Sequence, residues 1–275
     1  MFRRERDAES VSSPSSETLL SVEEILDLIR KGTSVPLEKM FHDYSFHEKE
    51  TLDLRDGWSE VLKRAELELL FRCHEKLREI HLEGYKDELP ESFPDRLQSI
   101  AITTYPPKHL EVKDLDFSCF PNFDPNACPS LSVSLERLNL TNCFRLTDSN
   151  LFKNVLRGCN RLVTLRLDGM VSFFFFCQCD RQLLLLPSSA AGAVSLTDET
   201  LIQIASRLSC LENIFLCRLI KITDRGLIRL FSSKNAAKRF RTLHVEDCSN
   251  ITDASVRQHI VLFSSVLRLD LLERP

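Results

Sequence analysis

The sequence predicts an α/β solenoid, in which one strand–helix unit is stacked several times along the chain. Two observations predict this fold. A strand phrase of the form L-x-x-L-x-L recurs through the C-terminal half. A helix-start phrase, in which a branched apolar residue is followed by Thr and Asp, occurs four times, each time after a strand phrase. A single unit of this size cannot bury its apolar face, so neighbouring units must stack against one another.

The strand phrases end in a strict alternation of apolar and variable residues, as a strand with one buried face requires. Clear copies begin at Leu135, Leu162, Leu211, Phe240 and Val266. Weaker copies begin at Leu77, Leu97 and Val112. We expect parallel strands on the concave side of an arc and helices on its convex side.

The helix-start phrases have the composition of an N-cap. The four copies are Leu146-Thr147-Asp148, Leu196-Thr197-Asp198, Ile222-Thr223-Asp224 and Ile251-Thr252-Asp253. The Thr side chain is expected to accept a hydrogen bond from the first turn, and the Asp lies at the positive end of the helix dipole. The apolar residue before Thr is expected to pack against a Leu or Val in the helix, as a hydrophobic staple. The aspartates are therefore interpreted as structural capping residues and not as a ladder of cation ligands.

One repeat breaks the spacing. The phrases at Leu162 and Leu211 are 49 residues apart, whereas the other clear copies are 26 to 29 residues apart. Residues 171–193 include four consecutive Phe and four consecutive Leu, and removing them restores a 26-residue repeat. We interpret 171–193 as an insertion, which is too short and too polar at its centre to span a bilayer. It comes either from unspliced or wrongly assigned coding sequence, or from a genuine apolar loop that contacts a membrane or a partner.

The chain before the regular repeats divides into three regions. Residues 1–20 are charged and Ser-rich, which is typical of a disordered tail. Residues 21–75 carry helical patterns, with a capping box at 21–24 and a longer helix over 57–75, and form either a helical N-terminal cap or a cryptic adaptor-binding segment. Irregular repeats occupy 76–134, and the regular repeats occupy 135–275. No capping segment follows the last strand phrase, so we expect a partner or further sequence to shield that end.

Composition excludes several classes of function. The net charge of −4 gives no electrostatic case for nucleic acid. The first residues are charged, without an apolar signal segment, which favours the cytoplasm or nucleus and reduced thiols for the ten cysteines. Cys143, Cys159 and Cys248 occupy repeat positions that other units fill with Met or Leu, so we expect small buried hydrophobic side chains there.

No pattern for catalysis, cofactor binding or metal binding is present. The seven glycines are not clustered, which removes the phosphate-binding loops, and the seven histidines are scattered. We therefore expect no catalytic residue, no cofactor and no metal site, and a protein that is not an enzyme.

The order of strand phrase, Cys near the strand exit and I-T-D at the helix start, over roughly 135–272, resembles the cysteine-containing subfamily of leucine-rich repeats. The resemblance implies a horseshoe-shaped solenoid. That subfamily is typical of F-box/leucine-rich-repeat substrate receptors of SCF-type ubiquitin ligases, and of the related antagonist-of-mitotic-exit-network proteins.

The resemblance implies a noncatalytic protein-binding module that recognises a substrate or partner in ubiquitin-dependent protein catabolism. It also implies the Skp1–cullin complex as a partner, with no binding to nucleic acid or membrane. Residues 20–62 contain a Pro36-Leu37 pair and Trp58 but no Leu-Pro start of an F-box. The alternative is a leucine-rich-repeat scaffold, or a cell-cycle or signalling regulator, with no ubiquitin link.

The candidate partner-binding residues are the variable residues of the strand phrases, because these point to the open, concave side. They are Arg137, Asn139, Thr164, Arg166, Asp168, Asn213, Phe215, Thr242, His244 and Glu246. Thr141 and Cys217 follow the same pattern. Arg166 and Phe215 are of the residue types that dominate binding energy at protein interfaces.

Overall fold

The structure, a computed structural model, describes residues 50–55, 62–118, 120, 122–169, 174–176, 183–185, 195–232, 239–252 and 268–270. These residues form an α/β fold. Its strands are, in chain order, β1 (Thr51–Asp53), β2 (Glu79–Leu82), β3 (Ser99–Ile102), β4 (Asp114–Asp116), β5 (Arg137–Asn139), β6 (Thr164–Arg166), β7 (Phe174–Phe176), β8 (Leu183–Leu185), β9 (Asn213–Phe215), β10 (Thr242–His244) and β11 (Arg268–Asp270).

Nine of these strands form one open sheet in the order β1-β2-β3-β4-β5-β6-β9-β10-β11, and every pair of neighbours is parallel. Eight of the nine lie within the predicted strand phrases. The strand β1 was not predicted, because Leu52 and Leu54 alternate with polar residues but lack the leading half of the phrase.

In the strands β1 to β6, β9 and β10, a middle residue is apolar and faces the core. These residues lie opposite one another in register and are at most 5% exposed where their side chains are described: Leu52, Ile80, Ile100, Leu115, Leu138, Leu165, Ile214 and Leu243. Burying each such side chain contributes about 1.5–3 kcal/mol. The column of apolar residues therefore holds the repeats together along the whole sheet.

The helices of the described residues are α1 (Arg64–Cys73), α2 (Asp148–Asn150), α3 (Asp198–Arg207) and α4 (Asp224–Ser232). The longer helix expected over 57–75 corresponds to α1, and residues 62 and 63 ahead of it are not helical. Leu201 and Ile204 of α3 and Leu227 and Leu230 of α4 join the same core as the middle strand residues. The helices thus cover the face of the sheet that is buried.

The helix after Thr147 departs from the expected regular pattern. The short α2 passes directly into a π-helical turn at Leu151–Val155, which is closed by the bond from the Leu156 amide to the Leu151 carbonyl (2.8 Å). Gly158 then takes a left-handed conformation (φ 90°). Cys159 consequently lies just beyond the helix instead of within it.

The strands β5, β9 and β10 are each followed by a residue in the left-handed conformation, two positions after the last apolar residue of the strand phrase. Asn142, Arg218 and Asp247 have φ angles of 65°, 60° and 55°. Gly169 occupies this place in another repeat, where an added Cβ would lie 2.8 Å from the carbonyl oxygen of Arg218. In three of these turns the amide donates to a carbonyl of the next repeat, as from Asn142 to Asp168 (3.0 Å). The turn therefore ties neighbouring repeats together.

The long repeat contributes one strand to the main sheet. The strand β6 pairs directly with β9, with Leu165 opposite Ile214. Within residues 171–193, β7 and β8 pair with each other in an antiparallel sheet of their own. The rest of that segment lies outside the described residues, as do the predicted tail at 1–20, most of the helical region at 21–75, and Asp253.

Candidate functional site

The open face of the sheet carries two rows of side chains that flank the buried middle residues. The first row, from β1 to β10, is Thr51, Glu79, Ser99, Asp114, Arg137, Thr164, Asn213 and Thr242. The second row is Asp53, His81, Ala101, Asp116, Asn139, Arg166, Phe215 and His244. With a strand separation near 4.8 Å, eight strands give rows about 34 Å long. This length suits an extended segment or the surface of another protein.

Three flat groups stack toward the β10 end of the second row, on the neighbouring strands β6, β9 and β10. The guanidinium carbon of Arg166 lies 4.5 Å from the ring centroid of Phe215. The rings of Phe215 and His244 are 5.7 Å apart and tilted by 34°. A cation–π contact of this kind contributes about 0.5–1 kcal/mol at an exposed site. The stack therefore presents a preorganised apolar and cationic surface to the solvent.

The strand exits beside this stack carry charged groups. Asp168 is only 6% exposed, and its Oδ1 accepts a hydrogen bond from the Cys217 amide (2.9 Å). Its Oδ2 lies 3.5 Å from Nε of Arg166. Glu246 Oε2 lies 3.4 Å from Nε2 of His244. The predicted partner-binding residue Asp168 is therefore buried and positions its neighbours.

The remaining predicted residues of the open face have partners on adjacent strands. Arg137 forms an ion pair with Asp114 on β4. The Asn139 amide donates to Asp116 Oδ2 (3.0 Å), and the Asn213 amide donates to Thr164 Oγ1 (3.2 Å). Thr242 is half-buried, and Thr141 donates to Asn139 Oδ1 (2.6 Å) at the exit of β5. All ten residues lie on one face, either in the two rows or at the strand exits.

Sequence reasoning missed a charged cluster at the β1 end of this face. Arg55 donates from Nε to Asp53 Oδ1 (2.9 Å), and its Nη1 lies 3.9 Å from Oε1 of the buried Glu83. His81 Nδ1 lies 3.7 Å from Glu83 Oε2. The Glu83 carboxylate raises the pKa of His81, against the opposing effect of burial. Because β1 was not predicted, nothing in the sequence placed Asp53 and Arg55 beside His81.

The helix-start threonines cap their helices as predicted. Thr147 Oγ1 accepts a hydrogen bond from the Asn150 amide, and the side-chain oxygen of Asn150 accepts one from the Thr147 amide. These two bonds complete a capping box. Thr197 accepts from the Glu199 amide, and Thr223 from the Arg225 amide (both 3.2 Å). The prediction of N-caps is thus confirmed at these three positions.

The helix-start aspartates link one repeat to the next, which the sequence reasoning had not foreseen. Asp148 accepts bonds from the Thr197 amide (2.9 Å) and hydroxyl (2.7 Å). Asp198 accepts from the same two groups of Thr223 (2.8 and 2.7 Å), and Asp224 from those of Thr252 (both 2.7 Å). Each carboxylate is therefore stabilised by two hydrogen bonds from a threonine of the next repeat. We call this series the Asp–Thr ladder.

The cysteines of the repeats are buried, as expected. Cys143, Cys159 and Cys248 are each at most 3% exposed. The Cys248 thiol donates to the Leu216 carbonyl (2.8 Å), and burial raises the pKa of Cys159 to about 11. These thiols stay protonated near neutral pH, which suits the role of small core side chains. Six cysteines whose side chains are described, including these three, are free thiols.

No family model matches this chain, and no curated protein matches it with significance. Among the described helices, none combines the length and apolar character needed to cross a membrane. The candidate site thus stands on the geometry of the open face alone.

Proposed function

We propose that the chain is a noncatalytic protein-binding solenoid of the cysteine-containing leucine-rich-repeat type. In this proposal the open sheet curves into a horseshoe, its open face is concave, and the N-terminal helices cap one end. The repeated phrases and the all-parallel sheet support this architecture. The proposed location is the cytoplasm or the nucleus, which the free thiols favour.

The observation that carries the proposal is the stack of Arg166, Phe215 and His244 on the open face, at strands β6, β9 and β10. Three neighbouring strands supply one group each, so the geometry is fixed by the sheet. Arg and aromatic side chains are among the residue types that most often dominate protein–protein binding energy. Polar rows on either side supply a rim that could exclude water from a bound partner.

We further propose that this module recognises a substrate or partner for an SCF-type ubiquitin ligase. The support is the resemblance of the repeats to those of F-box/leucine-rich-repeat receptors and of the antagonist-of-mitotic-exit-network proteins. The Skp1–cullin complex is then the expected assembly, with residues 21–62 as the adaptor-binding segment.

Affinity purification of the full chain, followed by mass spectrometry, tests both parts of this proposal. Reproducible recovery of Skp1 and a cullin supports the ligase role. Their absence, together with recovery of other specific partners, replaces it with a scaffold or regulator that has no ubiquitin link.

Charge reversal at Arg166 tests the face itself. We expect Arg166→Glu to abolish recovery of the concave-face partner, because it removes the cation–π stack and places a carboxylate near Asp168. The matched control is Arg229→Glu, which reverses an exposed charge on α4, away from the open face. Equal losses from the two variants, or none from Arg166→Glu, would move the binding surface elsewhere. As a control, circular dichroism of both variants tests whether they are folded.

A further inference from the structure

Three side chains of different chemistry meet at the exits of β9 and β10. Cys217 follows β9, while His244 ends β10 and Glu246 follows it. One sulfur, one imidazole nitrogen and one carboxylate oxygen from these residues all lie within 4.8 Å of one another. His244 and Glu246 are two residues apart on an extended chain, so both side chains point to the same face. The register of Phe215 opposite His244 places Cys217 opposite Glu246.

These distances are close to those of a tetrahedral metal site. Zinc bonds of about 2.3 Å to sulfur and 2.0–2.2 Å to nitrogen or oxygen place neighbouring ligand atoms about 3.4–3.6 Å apart. His244 Nε2 and Glu246 Oε2 are already 3.4 Å apart. The separations from the sulfur to the nitrogen and oxygen ligand atoms are at most 4.8 Å. They would shorten by about 1.2 Å at most to reach the tetrahedral spacing. Rotation of the Glu246 and His244 side chains can supply a movement of this size.

We propose that Cys217, His244 and Glu246 bind one zinc ion on the open face of the sheet. Sulfur, imidazole and carboxylate together match the borderline-soft character of zinc better than that of calcium or magnesium, which prefer oxygen ligands alone. Three protein ligands leave the fourth coordination position open. That position faces the surface on which a protein partner would lie, and water or a partner side chain can fill it.

Neighbouring groups hold the three ligands in place. The Asp168 carboxylate accepts the amide of Cys217 and so fixes the backbone beneath the sulfur. The Phe215 ring packs against the His244 ring at 5.7 Å. Contacts of this kind around a metal site orient the ligands, and losing one typically costs about 10–100-fold in metal affinity. The ligands thus lie at the end of a strand or two residues beyond it.

The local charge also favours a cation. Asp168 and Glu246 bring two carboxylates to the site, and Arg166 is paired with Asp168 at 3.5 Å. Burial, with the nearby Asp168 carboxylate, raises the pKa of Cys217 to about 12, so the metal-free thiol is protonated at neutral pH. Zinc binding then forms the sulfur–zinc bond, breaks the S–H bond and releases that proton to water.

Titration of the reduced, metal-free full chain with Co²⁺ as a spectroscopic substitute for zinc tests the site. We expect a thiolate-to-cobalt charge-transfer band and visible bands typical of tetrahedral cobalt, saturating at one equivalent. One equivalent of Zn²⁺ should abolish both. In Cys217→Ser the charge-transfer band should be lost, and in His244→Ala the affinity should fall by about tenfold or more.

The matched control is Cys210→Ser, because Cys210 is an exposed free thiol on the same repeat and lies outside the cluster. It should titrate like the unmodified chain. A band that survives in Cys217→Ser assigns the metal to another thiol and overturns the proposal. So does the absence of a tetrahedral cobalt spectrum in the unmodified chain, or an unchanged affinity in His244→Ala. Because His244 is only half-buried, its removal leaves the fold intact, and that variant decides the outcome if Cys217→Ser fails to fold.

Discussion

Replacing Asp198 by Ala removes one rung of the Asp–Thr ladder, between the repeats of α3 and α4. The Asp198 carboxylate accepts from the Thr223 amide at 2.8 Å and from the Thr223 hydroxyl at 2.7 Å. The same hydroxyl accepts from the Arg225 amide (3.2 Å). Without the carboxylate, the capping hydroxyl of α4 loses the acceptor that orients it.

The expected loss follows from the two hydrogen bonds. Each bond to a charged acceptor contributes about 1.5–3 kcal/mol, and both groups here are partly exposed, so water replaces part of what is lost. We therefore expect Asp198→Ala to lower the free energy of unfolding by about 2–3 kcal/mol. Asp198→Asn keeps one acceptor oxygen and should cost about half as much.

Urea unfolding of the full chain, followed by circular dichroism, measures this loss. The matched control is Glu199→Ala, which removes the adjacent carboxylate in the same helical turn. Glu199 is exposed and bonds to Gln203 within its own helix (3.1 Å). Its loss should cost less than about 1 kcal/mol, since it affects only the helix dipole and one side-chain pair. If Asp198→Ala costs no more than Glu199→Ala, the ladder does not hold the repeats together.

Three further outcomes are expected. Gly226→Ala should destabilise the chain by about 1–3 kcal/mol in thermal unfolding, because the new Cβ would lie 2.3 Å from Asp198 Oδ1; an unchanged midpoint would refute this reading of the contact. Leu243→Asp should abolish the cooperative transition in circular dichroism, since it buries an unpaired charge in the core, and a retained transition would contradict its place there. The raised pKa of His81 means that its stabilising contribution is complete below about pH 6.5, the unfolded value, and is lost as the pH rises through the folded value. In His81→Gln the urea midpoint should therefore fall less steeply above pH 6.5 than in the unmodified chain. An equally steep fall would show that His81 is not the origin of this pH dependence.

The strands could be predicted because burial dictates their pattern. Leu165, Ile214 and Leu243 must face the helices. Each strand phrase therefore shows the alternation of apolar and variable residues on its own, whatever its neighbours contain. The left-handed turns after the strands could not be predicted in the same way. Asn142, Arg218 and Asp247 share a conformation but not a residue type, so no residue pattern in the sequence marks these turns.

The open face was predictable as a set of residues but not as a set of contacts. Alternation alone placed Arg166, Phe215 and His244 on the same side. Their stacking, and the bond from the Cys217 amide to Asp168, depend on register between strands 49 residues apart in sequence. The regular pairing of Thr with Asp in every phrase was a signal for the ladder, since an acceptor repeated beside a donor can serve the neighbouring unit.

The contacts between repeats leave the stack of Arg166, Phe215 and His244 free to vary. Neighbouring repeats are joined by the middle apolar column, by the Asp–Thr ladder at the helix starts, and by the amide bonds of the exit turns. None of these uses the side chains of Arg166, Phe215 or His244. In a stacked array, stability is approximately the sum of such nearest-neighbour terms. Substitutions in the stack should therefore alter binding at little cost to the fold, whereas one lost rung weakens the interface between the two repeats that it joins.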